Sequence, residues 1–176
     1  MEKEKFLKLM QRYIANIAIS GSTLRNQGSK DVAKNAREFL ADLDLSVLCR
    51  IEPPGYINQL ERWSDELKSK LPKNAKNWGT ARKALNVFLI QVFMNKYLAE
   101  EYGLSKFGDT LETPLDSQAA SELRRLAGRG RLPRWNSIKG LKRKDSQRYQ
   151  GFAADYAKQQ GIPRACMDIM LWRTKE

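Results

Sequence analysis

Between Thr80 and Tyr102 the chain reads as one helix that is apolar around most of its circumference. Leu85, Phe88, Leu89, Val92 and Phe93 form one face, and Val87, Ile90 and Met94 widen it. Such a helix has no broad polar side to turn to water, so other helices must surround it. The spacing places it at the centre of a bundle. Its most apolar run, Ala84 to Met94, is interrupted by Asn86 and Gln91 and is too short to cross a bilayer.

The remaining period is helical as well, with no sustained strand alternation flanked by hairpin turns. Helices are expected over Glu2–Ile19, Lys30–Leu43 and Tyr56–Leu71, the last stopping at Pro72. Another should start with Thr113 as cap and Pro114 in its first turn, and end near Gly128. Asp145 or Ser146 can cap the next, whose core stripe is Tyr149, Phe152, Ala153, Tyr156 and Ala157. Gly161 and Pro163 end that helix, and a last segment runs from Met167 to Trp172. The expected fold is all-α: one compact helical domain over residues 1–176.

The chain contains no histidine. That removes Ser-His-Asp and Cys-His catalysis, His-ligated zinc and the usual proton shuttle. Cys49 and Cys166 are the two cysteines, too few for a four-cysteine cluster and at no metal-ligand spacing. They fit small residues in a reducing compartment. Residues 1–6 lack the apolar run of a secretory signal, so the cytoplasm is the expected location. Any chemistry must then come from a carboxylate, a lysine, a tyrosine or bound Mg²⁺.

Charge is the second constraint. The net charge is +12, yet the 22 residues from Leu123 to Lys144 hold nine Lys or Arg and no Asp or Glu. Cations that concentrated mark a face that meets a polyanion, with nucleic-acid phosphate the best fit. Candidate phosphate contacts are Arg129, Arg131, Arg134, Lys139, Lys142, Arg143 and Lys144. An ordinary solvated surface would carry interspersed acids.

From Trp135 to Trp172 the order is short helix, turn at Gly140, helix, loop, aspartate and helix start. With Ile138-Lys-Gly-Leu141 as the hairpin and Met167-Asp168 as the acid, this quarter of the chain resembles the helix-hairpin-helix base-excision DNA glycosylases. It departs from that family in having Lys142 where a second hairpin glycine could stand. It also has no lysine on the following helix where bifunctional members keep their Schiff-base nucleophile. The resemblance implies a monofunctional glycosylase that needs no metal or organic cofactor and acts as a monomer on double-stranded DNA, away from membranes. It implies Asp168 as catalytic acid, and Gly140 with its basic neighbours as the DNA-binding hairpin. Substrates would be damaged bases, in repair, or modified bases of phage DNA.

The chemistry agrees. Breaking an N-glycosidic bond develops oxocarbenium character on the sugar, which a fixed carboxylate stabilises. The base must first be flipped out, which needs a firm hold on the flanking phosphates. Each residue also has a plainer role open to it. Asp168 can be a helix cap, and Trp135 and Trp172 can pack against the core or stack on a base. The polar loop Ser20–Gly28 can be a connector or line a base pocket. Asp109, Glu112 and Asp116 can cap a helix or, in a nuclease, hold Mg²⁺. The segment 77–83 places basic residues at a helix start, where amides bind phosphate. A non-catalytic DNA- or RNA-binding protein and a Mg²⁺-dependent nuclease are the alternatives.

Overall fold

The computed structural model describes residues 2–28 and 31–173, with the side chains of 172 and 173 outside the description. The expected helix start at Lys30 and the side chain of Trp172 therefore lie outside it. Among the described residues there are eight α-helices: α1 (Lys3–Ala18), α2 (Asp31–Ala41), α3 (Pro53–Lys70), α4 (Trp78–Met94), α5 (Lys96–Glu101), α6 (Ser117–Ala127), α7 (Arg143–Gln159) and α8 (Met167–Arg173). No strand occurs among the described residues. The all-α expectation holds.

α4 is central, as its pattern requires. Leu85, Phe88, Leu89 and Val92 are fully buried in a core built with α1, α2, α3 and α5. A second apolar cluster joins Leu115, Leu123, Leu132, Tyr149, Ala153, Met167 and Leu171 from α6, α7, α8 and the segment before α7. Polar bonds link α7 and the following 3₁₀ turn to residues 110–113. Gln150 Nε2 donates to the Thr113 carbonyl (2.7 Å), the Thr113 amide donates to Gln150 Oε1 (3.0 Å), and Arg164 Nε donates to the Leu111 carbonyl (2.9 Å).

Local capping chemistry overrides the expected boundaries. The long helix breaks at Asn95, whose backbone leaves the helical region and whose Oδ1 accepts from Leu98 N, so α5 starts afresh. Thr113 is not a cap, because Gln150 holds its amide and carbonyl. Asp116 caps α6, with Oδ1 accepting from the amides of Gln118 and Ala119. α7 starts at Arg143, before Asp145 and Ser146, with no side-chain cap.

The short helix expected before Gly140 is also absent. Residues 133–137 run without helix into a turn closed by Leu141 N donating to the Ile138 carbonyl. Tertiary contacts decide this. Tyr149 Oη donates to the Pro133 carbonyl (2.7 Å), and Trp135 stands edge-on against the Tyr149 ring, at 6.0 Å between centroids. Both contacts hold the segment extended along α7.

Candidate active site and nucleic-acid interface

An open cleft of about 580 Å³ lies where α1 ends, alongside α4, α6 and α8. α4 supplies Lys83, Val87 and Gln91 at i, i+4 and i+8, one face of the helix. Asp116 enters from the start of α6 and Asp168 from the first turn of α8. Ser20, Ser22 and Thr23 form a further wall. The first part of the Ser20–Gly28 loop therefore lines the cleft. Thr23 donates to the Ala18 carbonyl (2.7 Å), and Ser20 lies within hydrogen-bond distance of Thr23 and Ser22.

Two carboxylates and one amine meet here. Lys83 Nζ lies 3.2 Å from Asp116 Oδ2, with the Lys83 side chain almost buried. Burial, and then the nearby Asp116 charge, push Asp168 from the ordinary carboxylate value up to about 6. Lys83 opposes that shift. A carboxyl poised near neutrality in a cleft has the properties of a group that handles charge or protons in a reaction.

Next to Lys83, Arg82 points into the protein. Its guanidinium donates to both oxygens of Glu112 (2.8 and 2.9 Å) and to Ser64 Oγ (3.0 Å), while Asn86 Nδ2 donates to Glu112 Oε2 (3.0 Å). Glu61 reaches Arg82 at 3.3 Å from the other side. A buried bidentate pair of this kind fixes the α4 backbone where Lys83 leaves it, and fixes residue 112 four positions before Asp116.

The basic segment divides into exposed and committed cations. Arg124, Arg129, Arg131, Arg134, Lys139, Lys142 and Lys144 are exposed. Arg125 is paired with Glu122. Arg143, expected among the phosphate contacts, is also exposed, but it donates to Glu61 Oε2 (3.0 Å) and to both Asp65 oxygens, and lies over the Trp78 ring, so a phosphate would compete with these acids for it. Acidic side chains on α3 recruit it, 78 positions away from Asp65, so it anchors the start of α7 to the bundle. Gly140 is exposed at the turn, and its amide donates to Ser137 Oγ (3.1 Å). Trp135 is half-buried against Tyr149.

Turn and cleft share α4. Gly79 abuts Ile138 and Leu141 of the turn, while Lys83, one helical turn onward, faces the cleft. The two points are about 6 Å apart along the helix. α4 thus carries both the seat of the basic turn, at Gly79, and a wall residue of the Asp168 cleft, Lys83.

The three acids weighed for Mg²⁺ do different things. Glu112 binds Arg82, Asp116 caps α6 and pairs with Lys83, and Asp109 lines a separate groove with Asp155 and Lys158. Among the described residues no group of three or more His, Cys, Asp or Glu could hold a metal ion. No helix among them is long and apolar enough to cross a membrane. The basic residues at 82 and 83 turn inward, and Asn77 caps α4 by accepting from Thr80 N (2.9 Å).

The sequence reading missed Lys83 and Asp116 as partners of Asp168. One signal was available: a lysine in the most apolar helix needs either water or an acid beside it. No protein-family description, curated protein or solved structure matches the chain.

Proposed function

We propose that this protein is a DNA glycosylase that flips a damaged or modified base into the cleft and hydrolyses its bond to deoxyribose. The observation that carries the reading is the cleft of Asp168, Lys83 and Asp116, whose Lys83 lies one turn along α4 from Gly79, the seat of an exposed cationic turn. Lys139, Lys142 and Lys144 would hold phosphates on one side of the flipped nucleotide, and Arg129, Arg131 and Arg134 would extend the grip. On this reading the turn at Ile138–Leu141 with α7 would act as the phosphate-binding half of a helix-hairpin-helix, although the helix expected before the turn is replaced by a non-helical run at 133–137.

The chemistry assigned to Asp168 is electrostatic. Its carboxylate would face C1′ as positive charge develops on the sugar, and would orient a water whose oxygen forms the new bond to C1′. The bonding pair of the broken N-glycosidic bond leaves with the base, which takes up a proton. The position of Lys83 favours a second reading. In it, Lys83 passes a proton to Asp116 and its neutral amine bonds to C1′ as the base leaves with the bonding pair and takes up a proton; opening of the sugar ring then gives an imine, and elimination of the 3′ phosphate cleaves the strand.

One assay separates these readings from a plain binder and from a nuclease. Duplexes carrying different modified bases are incubated with Mg²⁺ or with EDTA, and each set is then divided between alkali, no treatment and borohydride. Breaks that appear only after alkali indicate hydrolytic base removal. Breaks without alkali, with a borohydride-trapped covalent complex, indicate the lysine route. Breaks lost with EDTA indicate a nuclease, and binding without breaks indicates a binding module.

A further inference from the structure

A second groove, on a different part of the helical bundle from the cationic turn, has the opposite electrical character. It lies between α2 and α3 and has a volume of about 640 Å³. Phe39 and Val47, both half-buried, supply its apolar surface, over a floor of buried Leu43 and Trp63. Glu38, Asp42, Asp44 and Glu66 ring it, with Lys70 the single cation. Four carboxylates against one ammonium are anomalous on a chain whose net charge is +12. The four acids are exposed, and Glu38, Asp42 and Glu66 make no ion pair among the described residues.

We infer that this groove docks a helical segment of a partner protein, with an aliphatic stripe flanked by Lys and Arg. The walls specify the shape. α2 contributes residues 35, 38 and 39, with 42 just past its end, and α3 contributes 59, 63, 66 and 70, so each wall is built on one face of a helix. Two helix faces leave between them the trough into which a third helix packs ridge into groove. From residue 59 to 70 the α3 wall is about 16 Å long, three turns of a docked helix. Asn35 Nδ2 donates to the Lys70 carbonyl (2.8 Å) and ties the two walls together at one end.

The charges specify the sequence. Nucleic acid is repelled by the carboxylate rim, and an acidic helix equally so. A cationic helix instead places its apolar stripe on Phe39 and Val47, and its Lys and Arg heads beside Glu38, Asp42 and Glu66. Aliphatic contact supplies affinity, and the rim sets orientation and rejects other partners. The chain's own cations in 124–144 lie mostly on loops, whereas α1 carries an exposed apolar row, Leu9, Tyr13 and Ile17, beside Lys5, Lys8 and Arg12, so self-association is measured alongside peptide binding.

The test uses the full chain and a fluorescein-labelled, blocked 16-residue helical peptide. The peptide has leucines at i, i+3, i+4 and i+7 repeats and Lys or Arg elsewhere. Binding is read by anisotropy. Asp42→Lys with Glu66→Lys should weaken binding at least about tenfold, because two attractions become repulsions. Asp109→Lys with Asp155→Lys, the same charge change on another groove, should leave it within about twofold, as should Lys139→Ala/Lys142→Ala/Lys144→Ala. A peptide with serines for leucines, or glutamates for the cations, should not bind. The inference is overturned by no binding of the basic peptide, by equal loss in both reversals or by equal binding of the serine peptide. Concentration-dependent self-association that the Asp42/Glu66 reversal abolishes would also overturn it, since the occupant is then a second copy.

Discussion

Gly79 and Ile138 meet backbone to backbone: a Cβ on Gly79 would lie 2.0 Å from the Ile138 carbonyl oxygen. No side chain fits there. The contact seats the cationic turn on the first helical turn of α4, and the helix carries that placement on to Lys83. Gly79→Ala tests it with two opposed effects. Alanine favours a helix by about 1 kcal/mol, while forced overpacking against backbone costs about 1–3 kcal/mol. Since the obstacle is a carbonyl and not a pliable side chain, the clash should win. Urea unfolding should report a net loss of stability, and anisotropy with labelled duplex should report weaker binding.

The pair behind the cleft makes a stronger demand. Arg82 and Glu112 are both buried, so removing one partner leaves a charge without compensation. Arg82→Met should cost about 3–5 kcal/mol in urea unfolding. The double change Arg82→Met/Glu112→Leu should recover a large part of it, because a well-packed apolar pair removes both desolvation costs. If the double variant is as unstable as the single, the remaining bonds to Ser64, Glu61 and Asn86 carry the stability instead.

How much of this was legible in the sequence follows from the range of each force. The central helix and the core stripe of α7 were readable, because burial acts through the periodicity of a single segment. The helix break at Asn95 and the cap at Asp116 depend on side-chain oxygens choosing among nearby amides, and pattern alone named Thr113 instead. The extended run before Gly140 was not readable at all. Its causes, Tyr149 Oη on Pro133 and the bare backbone of Gly79 against Ile138, lie on other helices. The same holds for the cleft: Asp168 was singled out by position, whereas Lys83 and Asp116 join it only through the packing of α4, α6 and α8. The ion pairs of Arg143 were not readable either, because its acids lie on α3.

Asp168 gives a pH signature. Its folded-state value is raised to about 6 from 3.8. A raised carboxylate binds its proton more tightly folded than unfolded, so its contribution to stability is lost as pH rises from about 4 through 6. Ionised at neutral pH, it costs at most about 3 kcal/mol. Asp168→Asn should therefore raise the melting temperature by several degrees at pH 7.5 and change it little at pH 4, by calorimetry. Base release should vanish in that variant while duplex binding persists. In the wild type, release should rise with pH through about 6 as the carboxylate ionises. Equal melting shifts at both pH values would show that the substitution acts through packing, not charge.

The split between exposed and committed cations makes the last expectation. Each phosphate neutralised by a lysine or arginine releases counterion, and the logarithm of affinity falls with the logarithm of salt by about 0.9 per contact. Replacing exposed Lys139, Lys142 and Lys144 by Ala should lower that slope by up to about 2.7, with stability nearly unchanged. Arg143→Ala should do the reverse. Its guanidinium is held by Glu61, Asp65 and the Trp78 ring, so its loss should lower the unfolding midpoint and leave the slope within error of wild type. A slope that falls by about one unit on Arg143→Ala would mean that DNA draws this side chain away from α3. The anchor between α7 and the bundle would then open on binding. A triple variant with an unaltered slope would mean that the turn does not touch phosphate, and the interface would have to be sought around Arg129, Arg131 and Arg134.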